Sequence, residues 1–211
     1  MTSSSALIDR SLKEFTDALA ARTATPGGGS VAAYLAASGA ALVGMACRFT
    51  AGEKFAAVEA SMAGAAAELD ELRPKALALV DRDAASYDAV TAAFGLSKAT
   101  DAEKAARGAA IQAAMKGALE VPFETMQLAL AGLEIAAPLA AKLNPNLASD
   151  CGVGARCFQT ALEGAFLNVR INARSIKDAA YAAARMQSSE AMRARAKLLA
   201  DSIGAALEAQ L

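Results

Sequence analysis

The sequence predicts an all-α fold: a single domain of long antiparallel helices that forms a homo-oligomeric helical bundle. Hydrophobic residues make up 55% of the 211-residue chain, whereas aromatic residues make up only 5%. Most of the excess is alanine, the best helix former, and the β-branched residues that favour strands are few. No linker or repeat divides the chain, so residues 1–211 are expected to form one domain. The surplus of apolar residues suggests that another subunit covers some helix faces.

Apolar residues recur at helical spacing, and loops and prolines divide the chain into six or seven predicted helices. The first half contains helices from Ile8 to Ala21, from Ser30 to Arg48, and from Glu53 to Leu72. Pro74 then marks either a helix boundary or a kink, and the helical pattern continues to Phe94. The second half contains helices from Thr100, where Glu103 completes a capping box, to Glu120, from Pro122 to Leu143, from Asp150 to Arg185, and from Ser188 or Ser189 onward.

Charge and composition exclude several classes of function. The net charge of −1 at pH 7 gives no sign of a nucleic-acid or anionic-membrane partner. The uncharged segment 24–47 opens with a proline and three glycines, so only Val31–Cys47 could be an apolar helix. That length is slightly short of a membrane span, which favours a buried central helix. The N-terminus lacks a signal-peptide pattern. The three cysteines have no zinc-site spacing and no histidine to assist them, so we expect reduced thiols, no metal and a cytoplasmic location.

A glycine-rich segment precedes the uncharged helix. Pro26, Gly27, Gly28, Gly29 and Ser30 follow one another, and glycines let a backbone approach a ligand closely. The N–H groups at a helix N-terminus also suit an anion. The alternative is a flexible turn in which Ser30 caps the helix.

Asp83 is the candidate general base, because the absence of histidine leaves acid–base chemistry to Asp, Glu, Lys, Tyr or Cys. In a helix over residues 75–94 it borders the predicted core stripe of Leu77, Val80, Ala84, Tyr87, Thr91 and Phe94, whereas Asp81 and Asp88 point away. A carboxylate beside a core tends to have a raised pKa, as a general base often does. The alternative is an Asp paired with a nearby Lys or Arg.

Two amides and several charged residues complete the candidate set. Asn168 and Asn172 lie one turn apart on the apolar side of the predicted long helix, where they either hold a bound heterocycle or serve as structural amides. Ser149 and Asp150 lie at the start of that helix as caps or ligand contacts. Lys54, Lys98 and Arg107 lie near loops and are either solvated or bind an anionic substrate.

The glycine segment resembles that of formiminotetrahydrofolate cyclodeaminases and of the related methenyltetrahydrofolate cyclohydrolases. The resemblance covers almost the whole chain in order, through Phe15–Leu19, Thr25–Ala33, Asp83–Tyr87, Lys98, Glu103-Lys104, Arg107, Val121-Pro122, Asn146, Ser149-Asp150, Asn168-Val169 and Asn172. Ser97 departs from it, because the family pattern has a proline there.

The resemblance implies helices assembled at least as a dimer, with folate sites near subunit contacts, the glycine segment against the folate and Asp83 as the catalytic carboxylate. It also implies a folate substrate, polyglutamylated or not, and no further cofactor. The expected reaction is hydrolysis of 5,10-methenyltetrahydrofolate to 10-formyltetrahydrofolate. The alternatives are the ammonia-releasing cyclodeaminase reaction and a non-catalytic helical binding protein.

Overall fold

The computed structural model describes residues 6–210, and over this range it contains helices and no strand, which confirms the all-α prediction. The α-helices are α1 (Leu12–Ala20), α2 (Gly28–Arg48), α3 (Glu59–Gly95), α4 (Asp101–Ala136), α5 (Ala148–Ala173) and α6 (Ala179–Glu208). Short 3₁₀ turns occupy Leu7–Asp9, Glu53–Phe55, Ala140–Lys142 and Pro145–Leu147.

The uncharged helix α2 lies at the centre and packs mainly against α3 and α5. By length and composition alone α2 could cross a membrane, but 61% of its most apolar window is buried within the bundle, which is the packing of a core helix. Glycines let α2 and α5 approach: a Cβ on Gly39 would lie 2.9 Å from the carbonyl oxygen of Gly154, and one on Gly154 would lie 2.8 Å from Val43 Cγ2. The two helices run antiparallel, so the start of α2 lies beside the end of α5.

Phe158 of α5 is fully buried between α2 and α4. Its ring occupies the space that a side chain on Gly132 would need, because a Cβ there would lie 2.2 Å from Phe158 Cζ. On the other side a Cβ on Gly39 would lie 3.0 Å from the same ring. A bulky ring between two glycines fixes the position of α5 relative to both neighbours.

Capping residues account for several helix starts. The predicted capping box at Thr100 is confirmed: Glu103 N–H donates to Thr100 Oγ1 at 3.2 Å, and Thr100 N–H donates to Glu103 Oε2 at 2.7 Å. A second capping box at Ser11 and Glu14 starts α1 at Leu12, so the predicted start at Ile8 is wrong.

Pro122 does not begin a helix, contrary to the sequence prediction, and of the two alternatives for Pro74, a helix boundary or a kink, the boundary is wrong. Pro74 lies inside the 37-residue α3 and Pro122 inside the 36-residue α4. A proline removes only one hydrogen bond from a helix, and tertiary packing on both sides of it keeps each helix continuous.

The predicted long helix from Asp150 to Arg185 is wrong. α5 ends at Ala173, and α6 starts at Ala179, where the Asp178 side chain accepts from Tyr181 N–H at 3.1 Å. No Gly or Pro marks this break, and Asp178 as a helix cap was the available signal. Ser188 and Ser189, the predicted start of the last helix, lie inside α6.

Candidate active site

The glycine segment forms the first turn of α2, two residues earlier than predicted. Gly27 is the N-cap and α2 begins at Gly28, so Ser30 does not cap the helix. Ser30 is instead buried, and its hydroxyl lies 3.0 Å from the carbonyl oxygen of Val80 and 3.0 Å from Asp83 Oδ2. The segment therefore joins the start of α2 to the middle of α3.

Asp83 lies directly against Gly29. A Cβ on Gly29 would lie 2.1 Å from Asp83 Oδ1, closer than atoms can approach. Only a glycine at this position leaves room for the carboxylate, which receives hydrogen bonds from the side chain and the backbone of Ser30. The anion at the N-terminus of α2 is therefore Asp83 itself, and the glycine segment needs no external anion there.

Two opposing effects act on the Asp83 carboxyl group. Burial raises its pKa, the hydrogen bonds from Ser30 lower it, and burial prevails, so the pKa is raised above the ordinary aspartate value. No positively charged side chain contributes to this balance, so the interpretation of Asp83 as half of an ion pair is wrong. A carboxyl group with a raised pKa is a stronger proton acceptor than an ordinary aspartate, which suits a group that accepts and returns a proton.

Asn168 and Asn172 both face Asp83 across a cleft. Asn168 Nδ2 donates to the carbonyl oxygen of Gly164 at 3.0 Å, and Asn172 Nδ2 donates to that of Ala118 at 2.8 Å. Ala118 is four residues before Pro122, and Pro122 has no N–H group to donate to the Ala118 carbonyl oxygen. The Asn172 side chain supplies this missing hydrogen bond. Within residues 6–210 neither Oδ1 atom has a hydrogen-bond partner, so both amide oxygens can accept from a ligand.

The cleft has a volume of about 350 Å³, within the usual range for small-molecule sites. Asp83, the glycines and the two amides form its polar part, and an apolar wall faces them. The other lining residues were not predicted from the sequence to contact a ligand. They include Ser86, Tyr87, Val90, Met115, Ile171 and Ser175.

Tyr87 lines the cleft, although the helical pattern of apolar residues predicted that it lies in the core. It was predicted to lie in a core stripe with Thr91 and Phe94, but the three are exposed, because the end of α3 is not covered by the bundle. Tyr87 follows Asp83 by one helical turn and lines the cleft, and that spacing was a usable signal.

The structure does not bring every predicted site residue to this cleft. Pro26 and Ser30 are buried and do not line the cleft. Lys54, Ser149 and Asp150 lie at the opposite end of the molecule, because α2 separates its glycine end from that end by about 30 Å.

Lys98 lies in the exposed turn between α3 and α4, beyond the cleft. Arg107 donates to the carbonyl oxygen of Phe94 at 2.9 Å and stacks on the Phe94 ring. It therefore closes this turn, and neither residue lines the cleft.

Among residues 6–210, Asp83 is also the only carboxyl group that lines the cleft. In the described part of the chain no group of three or more Cys, Asp or Glu side chains is arranged to hold a metal ion. What the arrangement offers is one acid–base group, two amide acceptors and an apolar wall.

Comparison with known proteins identifies the family. The profile of the formiminotransferase-cyclodeaminase family matches residues 11–191. The chain belongs to the formiminotransferase-cyclodeaminase family. Among its relatives, methenyltetrahydrofolate cyclohydrolase of Methylorubrum extorquens is 38% identical over 196 residues, which are 92% of this chain and 94% of that protein.

Other members of the family are similar over different shares of their length. Formimidoyltransferase-cyclodeaminase of Rattus norvegicus is 34% identical over 82% of this chain, but the match spans only 32% of the rat protein. The structure of formiminotetrahydrofolate cyclodeaminase from Thermotoga maritima superposes with a TM-score of 0.85 and 29% identity, over 95% of this chain and 97% of that one.

Proposed function

We propose that this chain is a methenyltetrahydrofolate cyclohydrolase, which hydrolyses 5,10-methenyltetrahydrofolate to 10-formyltetrahydrofolate. The observation that carries the proposal is the half-buried Asp83 carboxyl group, with its raised pKa, beside two free amide oxygens in a small-molecule cleft. The relative that matches over nearly its whole length has this name.

In the proposed reaction Asp83 acts as the general base. The methenyl carbon joins two nitrogens in a cationic ring, and a carboxylate nearby stabilises that cation. Water attacks the carbon, its proton passes to Asp83, and a tetrahedral carbon results. The bond to one ring nitrogen then breaks as that nitrogen takes the proton back from Asp83. The hydroxyl group on the tetrahedral carbon releases its own proton to solvent as its oxygen becomes a carbonyl, and the carbon stays on the other nitrogen as a formyl group.

The remaining cleft residues position the substrate. The free Oδ1 atoms of Asn168 and Asn172 accept hydrogen bonds from N–H groups of the pterin or from the attacking water. Tyr87 and the apolar wall provide a surface for the flat ring system of the pterin.

The proposal requires no cofactor beyond the folate, because the substrate ring already carries the charge that makes its carbon electrophilic. It includes no nucleic-acid or membrane partner, in keeping with the net charge of −1. It places the enzyme in the cytoplasm, where thiols stay reduced, and the three cysteines are free.

The cyclodeaminase reaction is the second candidate, and the name of the Thermotoga maritima structure favours it. In that reaction the same carboxyl group would assist the departure of ammonia as a formimino group closes to the methenyl ring. Assays of both substrates separate the two candidates, and turnover of neither would favour a binding protein.

The decisive experiment is Asp83→Asn, which keeps the side-chain shape and removes the charge. We expect the loss of methenyltetrahydrofolate absorbance, corrected for spontaneous hydrolysis, to slow by roughly 10²–10⁴-fold. Asp88→Asn is the matched control, because Asp88 is exposed on the same helix. Asp81 is a poorer control than the sequence suggested, since it accepts from Leu7 N–H at 2.6 Å. A fully active Asp83→Asn enzyme would exclude this mechanism.

We also propose that the chain forms a homo-oligomer through one face of α2 and α5. No charged residue occurs in α2 before Arg48, and Leu35, Leu42 and Met45 on its outer side are only half-buried. The neighbouring Val153 of α5 is 55% exposed. An apolar cavity of about 440 Å³ beside this face supports the proposal, because a second copy would cover it.

Sedimentation tests this assembly. Val153→Glu should shift the protein towards monomers, because it would bury an unpaired charge in the contact. Leu198→Glu is the control, since Leu198 lies on the opposite side of α6 from its buried residues. A parent protein that is monomeric and active at micromolar concentration would refute the proposal.

A further inference from the structure

The Ser30 hydroxyl has one proton and two acceptors for it. Its Oγ lies 3.0 Å from the carbonyl oxygen of Val80 and 3.0 Å from Asp83 Oδ2. A serine hydroxyl donates a single hydrogen bond and accepts through its lone pairs. The hydroxyl therefore donates to one of these two oxygen atoms at a time, although both lie at the same distance.

The surroundings of Ser30 leave this choice to Asp83. Ser30 is fully buried and does not line the cleft, so solvent does not compete for its hydroxyl. Val80 lies inside α3, where its carbonyl oxygen also accepts the helical hydrogen bond from Ala84 N–H. The Val80 carbonyl thus stays hydrogen-bonded whether or not the serine donates to it.

The charge of Asp83 decides between the two acceptors. A hydrogen bond to an ionised carboxylate is roughly twice as strong as one between neutral groups, so the Ser30 hydroxyl donates to Oδ2 when Asp83 is ionised. Protonation of Asp83 removes that charge and adds a carboxyl O–H donor. The hydroxyl can then donate to the Val80 carbonyl oxygen and accept from Asp83, and no carbon, nitrogen or oxygen atom has to move.

No other charged group near the cleft replaces the serine in this role. Among residues 6–210, those of α2, α4 and α5 that line the cleft are uncharged. On α3, Arg82 is paired with Glu124 at 2.8 Å, and Tyr87 is the only ionisable lining residue besides Asp83. The hydrogen bonds that favour the ionised form of Asp83 come from the side chain and the backbone of Ser30.

We propose that Ser30 is a positioning residue whose hydroxyl turns from Asp83 to the Val80 carbonyl as Asp83 takes the proton of the attacking water. It turns back when Asp83 passes that proton to the ring nitrogen. Ser30 keeps its own proton throughout, and only its hydrogen bonds change. The inference deepens the proposed function and rests on it for the reaction.

The test is the pH–rate profile of Ser30→Ala, which removes the hydroxyl and keeps the helix. The side-chain hydrogen bond lowers the pKa of Asp83, so its loss should move the acid limb of kcat/KM to higher pH. On the plateau above that limb the rate should fall by less than roughly 10²-fold, the smallest loss expected for Asp83→Asn.

Ser189→Ala is the matched control. Ser189 is also fully buried, its hydroxyl donates to the carbonyl oxygen of Arg185 at 2.8 Å within α6, and it does not line the cleft. This variant should keep the acid limb of the parent. Ser30→Cys is a second test, because a thiol fills the place of the hydroxyl but is only a weak donor. A parental acid limb in either Ser30 variant would overturn the inference.

Urea unfolding at several pH values separates this inference from the proposed function. The destabilisation caused by Ser30→Ala should grow as the pH rises from below the ordinary aspartate pKa through the raised pKa of Asp83, because the lost bond is stronger to the ionised form. In an Asp83→Asn background it should not change with pH. Such growth without any turnover would sustain the role of Ser30 and refute the cyclohydrolase. Turnover with a destabilisation that is constant in both backgrounds would do the reverse.

Discussion

Replacing Gly29 with alanine tests whether the contact between α2 and Asp83 sets the activity. The new Cβ would lie 2.1 Å from Asp83 Oδ1, and side-chain carbons essentially never approach within 3.0 Å. The carboxylate must therefore move by about 0.9 Å, the difference between these distances. Its hydrogen bond to Ser30 Oγ, now 3.0 Å, would then be stretched or broken.

Two magnitudes follow from this displacement. A lost hydrogen bond to a charged group costs about 1.5–3 kcal/mol, and exchange of glycine for alanine in a helix returns up to about 1 kcal/mol. The free energy of unfolding should therefore fall by roughly 0.5–3 kcal/mol. A misplacement of a catalytic group by about 1 Å should slow turnover by about 10²-fold.

Urea unfolding and the methenyltetrahydrofolate absorbance assay measure the two effects on the same preparation. Gly64→Ala is the control, because nothing lies within 4 Å of the added Cβ and the same helix propensity is gained. It should be at least as stable as the parent and equally active. A Gly29→Ala protein with parental activity would show that the position of Asp83 against α2 has no catalytic importance.

Three further predictions follow from the same contacts. Activity should decline as pH falls through the raised pKa of Asp83, and Asp83→Asn should abolish this acid limb in a pH–rate profile. Because the pKa of Asp83 is raised in the folded state, ionisation of Asp83 lowers the free energy of unfolding of the parent once the pH exceeds the ordinary aspartate pKa. The Asp83→Asn protein should therefore be more stable than the parent only above that pH, which urea unfolding at several pH values would measure. Asn172→Ala should lower the unfolding free energy by about 1–3 kcal/mol, because the Ala118 carbonyl loses its donor, and should also raise KM.

The sequence was sufficient to predict those parts of the site that depend on local pattern. Asp83 could be identified because a carboxylate at the edge of an apolar helix stripe is unusual. The glycine segment could be identified because three consecutive glycines directly before a helix are unusual too. The family resemblance pointed to the same residues. The all-α class followed from composition, since alanine-rich helices without strand formers leave few alternatives.

What depends on tertiary contact could not be predicted. Ser30 was interpreted either as a ligand contact or as a helix cap, and its hydrogen bonds to α3 were missed because they are made across 50 and 53 residues of sequence. Pro122 was interpreted as the start of a helix, because the sequence cannot show that Asn172 replaces the N–H donor that Pro122 lacks. Tyr87 was placed in the core, because periodicity does not reveal where a helix extends past its neighbours.

The buried Phe158 ring affects the cleft although it does not line it, because it sets the position of α5, which carries Asn168 and Asn172. Asn168 is ten residues further along α5, about 15 Å away, and its place in the cleft depends on where the buried ring holds the helix. A side chain at Gly132 or Gly39 would push the ring and shift α5 with both amides. A genetic screen for inactive or temperature-sensitive mutants should therefore recover changes at these glycines, deep in the protein and far from any folate.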